Sequence, residues 1–98
     1  MIANNDLVNN FVFFNLNGVS NAEMYNGTMH FVNSTLYSYN TAIGQYNKKD
    51  GTFIVNMTKY SQTTTKQRNL LIMALKDRKI RYTELDKVKM GTTNLIKN

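Results

Sequence analysis

Cysteine, proline and tryptophan are absent from this 98-residue chain, and histidine occurs once, at His30. Without cysteine there can be no disulfide, no thiolate metal site and no thiol nucleophile. A zinc site needs several His, Cys or carboxylate ligands at workable spacing, and His30 has no neighbours able to complete one. No apolar run approaches the roughly 18 to 20 residues that a bilayer span requires. The opening Met1–Asp6 has no basic stretch of the kind that begins a secretory signal. These absences lead us to expect a cytoplasmic protein without metal or cofactor. Heavy asparagine use, with no proline or tryptophan, reads as AT-rich coding of the kind common in low-GC bacteria and their phages. The same bias explains three chance glycosylation sequons, at Asn26, Asn33 and Asn56.

The first 47 residues also contain no lysine or arginine. They carry only Asp6 and Glu23, a charge of −2. From Lys48 onward, 12 basic residues stand against Asp50, Asp77, Glu84 and Asp86, giving +8 and a net charge of +6. Such segregation produces a one-sided field if the two halves face different directions. The plain alternative is a solubilising surface.

A chain of this length holds one domain (1–98) with a modest core and little room for a deep cleft. Its first half reads as strands broken by turn signals. Asn10–Leu16 is aromatic and β-branched and ends at Asn17-Gly18. Asn26-Gly27 would join 22–25 to 28–32 through a type I′ turn, in which both central residues take positive φ. Lys48-Lys49-Asp50-Gly51 joins Ala42–Tyr46 to Thr52–Met57, with Gly51 in the left-handed position. Gly44, inside a strand, signals a bulge or a close backbone approach.

The pattern changes after Ser61. Thr64 and Gln67 have capping-box spacing, and Gln67–Asp77 contains good helix formers with no glycine. Its apolar flank of Leu70, Leu71, Ala74 and Leu75 should cover one sheet face, leaving Ile72 awkwardly on the polar side. Lys79–Tyr82 could add a short strand. Thr83–Asp86 resembles a second helix start running to about Met90, and 92–98 a loose tail. The expectation is an α+β fold: an antiparallel sheet of four or five strands, packed against one main helix of the second half, with a short second helix.

Catalytic patterns are missing. No nucleophile elbow accompanies His30, and the five glycines form no phosphate loop. Glu84 and Asp86 are better explained by capping than as a hydrolytic pair. Binding remains, and the candidate residues are Lys59, Tyr60, Lys66, Arg68, Lys76, Lys79, Arg81 and Tyr82. Lysine and arginine neutralise phosphates, and tyrosines can stack on bases. Threonines 63–65, with Lys66 beside them, would make a helix start suited to anions. For Lys66 and Arg68 a solvated helix edge is the bland reading, and Tyr37 and Tyr39 read more readily as half-buried sheet residues than as a stacking platform.

The segments Tyr37-Ser38-Tyr39-Asn40-Thr41-Ala42-Ile43 and Asn56–Gln67 resemble a family of small, largely uncharacterised proteins of phages, prophages and other mobile elements. The resemblance covers roughly Leu36–Leu75. Members of that family often carry histidine where this chain has Gln67, so an imidazole role there lacks its residue. The resemblance implies a mobile-element origin. By analogy with small proteins of that origin, it points to surface blocking of a host protein or nucleoprotein such as a CRISPR effector. Direct DNA or RNA binding by the basic half, or a homo-oligomeric accessory role, are the other expectations.

Overall fold

The computed structural model describes residues 3–19 and 21–96. It is an α+β arrangement of six strands and two helices. In chain order these are α1 (Asn4–Leu16), β1 (Glu23–Asn26), β2 (Met29–Val32), β3 (Thr35–Ser38), β4 (Thr41–Asn47), β5 (Thr52–Asn56), α2 (Gln62–Asp77) and β6 (Tyr82–Leu85). The strands lie in sequence order in one sheet. Pairings are antiparallel from β1 to β5, whereas β5 and β6 are parallel, linked through α2. The sheet is therefore mixed and longer than the expected four or five antiparallel strands.

The largest departure lies in the first 16 residues. Asn10–Leu16 belongs to α1, not to a strand. Leu7, Val8, Phe11, Val12 and Asn15 are buried, a spacing that repeats on one helical face. A window opening at Asn10 misses the first two members of that stripe, so the strand propensity of Phe11–Phe14 dominates. Tertiary packing overrides it. The Asn17-Gly18 pair ends this helix instead of turning a hairpin. Gly18 takes φ 69°, its amide donates to the Asn15 carbonyl at 3.3 Å, and the Val19 amide donates to Phe14 at 2.9 Å. These are the two bonds of a Schellman cap.

α2 ends the same way. Lys79 occupies the left-handed position at φ 57°, and Lys79 and Ile80 donate to the carbonyls of Lys76 and Leu75. Its start differs from the capping-box reading: Ser61 is the cap, its side chain accepting from the Thr64 amide at 3.1 Å. The expected second helix at Thr83–Met90 does not form. Tyr82–Leu85 is β6, followed by irregular chain. The strand placed at Lys79–Tyr82 begins three residues later than expected.

Both helices pack on one sheet face. Phe11 meets Phe31 and Phe53 at ring-centroid distances of 5.6 and 5.9 Å, and Leu71 and Leu75 close the same core. Ile72 packs partly buried against it. Gly44 satisfies both halves of its reading. Between the pairs Leu36–Gly44 and Tyr37–Ala42 the register shifts, leaving Ile43 as the extra residue of a bulge. A Cβ on Gly44 would collide with Cδ2 of Leu71. The Gly51 turn forms as expected, with φ 69°. At the β1–β2 turn the central residues are Gly27 and Thr28, one step later than the Asn-Gly reading, and only Gly27 has positive φ.

The other sheet face is covered unevenly. Over β4 and β5, Leu95 packs against Ala42 and Ile54, with Val88 and Ile96 beside it. Within the stretch expected to be loose, then, Leu95 is buried, and its amide donates to Gln45 Oε1 at 2.5 Å; residues 97 and 98 lie outside the described residues. Over β1 to β3, Tyr25, His30 and Tyr37 stack across three strands. No described helix is long and apolar enough to cross a membrane.

Candidate functional site

The connection from β5 to α2 is locked by side chains that a strand-and-helix reading does not single out. Asn56 is buried; its amide donates to the Ala42 carbonyl at 3.0 Å and to the Tyr60 hydroxyl at 3.1 Å. Its Oδ1 accepts from the Thr58 amide at 3.0 Å. The Tyr60 hydroxyl in turn donates to the carbonyl of Val88. Three hydroxyls then tie the end of β3 to the start of α2: Thr64 Oγ1 lies 2.9 Å from Ser38 Oγ and 3.2 Å from Ser61 Oγ. Ser38 and Thr64 are buried, and a buried hydroxyl without such a partner would carry a desolvation cost.

The two segments singled out in the sequence, 37–43 and 56–67, are thereby brought together. Around their junction lie two adjoining hollows. One, of about 380 Å³, is open and lined by Lys59, Tyr60, Ser61, Gln62, Thr65 and Lys66. The second, of about 210 Å³, shares Tyr60 and Ser61 and extends to Tyr39, Thr41 and Met90. Tyr39 and Met90 are 54% and 73% exposed, a high exposure for apolar groups beside a hollow. Tyr39, expected as a half-buried sheet residue, sits instead in the β3–β4 turn at φ 56°, a conformation costly for a side chain with a Cβ. The surface therefore offers two lysine ammonium groups beside the positive end of a helix dipole, next to an apolar rim.

Of the eight candidate residues, Lys59, Tyr60 and Lys66 meet here. Arg68 is 8% exposed and serves the framework. It donates to the Met57 carbonyl at 3.0 Å and to Asn69 Oδ1 at 3.2 Å, while its Nε finds no partner. Lys76, Lys79 and Arg81 lie at the opposite end of α2. Lys66 and Lys76 are ten residues apart on one helix, about 15 Å along its axis. Because β6 runs parallel to β5 from the β4–β5 turn, Lys48 and Lys49 belong with that far group. Tyr82, half-buried in β6, packs against the core. The late cations named here thus fall into two groups at the two ends of the sheet rather than one field.

Gln67 is buried away from the hollows, donating to Thr28 Oγ1 at 2.9 Å across 39 residues, with its Oε1 unpartnered. His30 stacks between Tyr25 and Tyr37 at 5.1 and 4.9 Å, and desolvation lowers its pKa below the usual 6.5. No group of three or more His, Cys, Asp or Glu that could hold a metal occurs among the described residues.

Site residues that sequence reasoning missed are Tyr39, Thr41 and Met90. Tyr39 and Thr41 fall inside the 37–43 segment that drew attention, but Met90 has no local signal. Neither the curated proteins nor the solved structures contain a match to this chain. Residues 4–87 match a sequence family, which spans α1 and all six strands. The chain belongs to that family, DUF8033, whose function is unknown.

Proposed function

We propose that this chain acts by binding rather than catalysis, and that its contact surface is the pair of hollows at the start of α2. The observation that carries this is the convergence of segments 37–43 and 56–67 around Lys59, Lys66, Tyr39 and Met90. Exposed Tyr39 and Met90 are of the residue types enriched in protein-binding surfaces, and lysines at the margin of such a surface orient the encounter. The partner is a host protein or nucleoprotein with an acidic surface, bound stoichiometrically in the cytoplasm of a bacterial host. The mobile-element resemblance makes a defence complex of the CRISPR type the first candidate.

The test is co-purification of the tagged chain from bacteria expressing such a complex, with partner mass and stoichiometry measured. The double variant Lys59→Gln/Lys66→Gln should lose the partner at least tenfold. Lys76→Gln/Lys79→Gln/Arg81→Gln should retain it. Salt-titrated binding to naked DNA and RNA runs alongside. Tight binding there, with a steep salt slope spread over both cation groups, would replace this reading with direct nucleic-acid binding.

A further inference from the structure

At the sheet edge farthest from the basic strands, β1 has no neighbour on its outer side among the described residues. Exposed edge strands template pairing with another chain, and proteins usually blunt them with lysine, proline or a bulge. β1, Glu23-Met24-Tyr25-Asn26, has no lysine, proline or bulge; its only protections are its four-residue length and the charge of the exposed Glu23.

The ring stack ends at this edge. Tyr37, His30 and Tyr25 are directly opposed across β3, β2 and β1, with rings within 16° and 11° of parallel. The centroid spacings of 4.9 and 5.1 Å are close to the spacing of neighbouring strands. Tyr37 continues into the cluster of Ala42, Ile54 and Leu95, so this packed layer runs unbroken across the sheet. It stops at Tyr25, a residue 58% exposed. On the helix-bearing face, Met24 and Phe14 are only partly buried at the same edge.

We propose that β1 pairs antiparallel with β1 of a second copy about a two-fold axis at Tyr25, joining two sheets and two ring stacks into one. The occupant is a second copy because the surface is self-complementary. In this register Tyr25 opposes Tyr25, Met24 opposes Asn26, and Glu23 opposes Gly27, so like charges do not meet. Nor do the cations: every residue of α1 and β1 to β3 precedes Lys48, the first lysine or arginine. Two copies of net charge +6 therefore meet along strands that hold no lysine or arginine of their own; the basic group that reaches α1 is Arg78, which donates to Asn9 Oδ1 at 2.8 Å. A four-residue edge is small beside permanent dimer interfaces, and the dimer dissociates on dilution.

Sedimentation velocity over a concentration series should show a reversible monomer–dimer equilibrium. Tyr25→Lys should be monomeric throughout, with an unchanged circular dichroism spectrum and a melt lowered by no more than the loss of the Tyr25–His30 stack, roughly 4–8 °C. Because the chain has no cysteine, single-cysteine variants report one contact each. Directly opposed antiparallel residues lie within disulfide reach. Tyr25→Cys should cross-link under mild oxidation at least tenfold faster than Thr83→Cys on the far edge strand β6. Three results would overturn the proposal: a wild-type monomer at every concentration, a Tyr25→Lys variant that dimerises like wild type, or equal cross-linking at both edges. The Lys59→Gln/Lys66→Gln variant should still dimerise, which separates this interface from the partner surface at α2.

Discussion

At the level of single residues, the left-handed positions are informative because most side chains resist them. Lys79 closes the α2 Schellman cap at φ 57°, a position where glycine avoids the Cβ clash. Lys79→Gly should therefore stabilise the fold by about 1 kcal/mol, raising the melting temperature by roughly 4–8 °C. A thermal melt checks this. His30 supplies a pH dependence with a definite sign. Its folded-state pKa is lowered by desolvation between two tyrosines, so the unfolded chain takes up the proton more readily. Its contribution is complete above the ordinary histidine pKa and is lost as pH falls below that value. Melts from pH 7.5 downward should show the loss, and His30→Gln should flatten it.

Elements are held by a few contacts that cross between them. Ser61 caps α2; Ser61→Ala should cost about 1 kcal/mol, measured by urea unfolding. Gln67 has another task, since its amide reaches Thr28 in the β1–β2 turn. The close approach of β4 to α2 depends on Gly44. Gly44→Ala forces Leu71, fully buried, out of place and should destabilise by about 1–3 kcal/mol. Combining it with Leu71→Val should recover part of that loss, so the two changes should be non-additive in a double-mutant cycle. At this scale the sequence was partly legible. The β4–β5 hairpin and the end of α2 are written in local chemistry, a turn glycine and a run of helix formers. α1 was not, because Phe11–Phe14 has strand propensity and its helical stripe is complete only when Leu7 and Val8 are counted with it.

Across the whole molecule, the core joins the first helix to the last third of the chain. Phe11 touches Phe31 and Phe53, and Phe11→Ala should cost about 3–5 kcal/mol, seen as a lowered denaturation midpoint. The charge segregation of the sequence survives, but in altered form. The cation-free half builds α1 and one side of the sheet, while the basic half divides between the two ends of α2. Lys59 and Lys66 are thereby set apart from Lys76, Lys79 and Arg81, and the proposed partner surface is local, not an extended electrostatic stripe.

Composition and local pattern were enough to establish an α+β chain with its cations in the second half, the Gly51 hairpin and α2, because each depends on residues within a turn or two of one another. Only the tertiary structure decided that Asn10–Leu16 is helix, that β6 runs parallel to β5, and that Arg68 is buried. It alone brought Tyr39 and Met90 beside Lys59. These outcomes rest on contacts between residues far apart in the chain, where the free energy of burying a shared surface outweighs the preference of either segment alone.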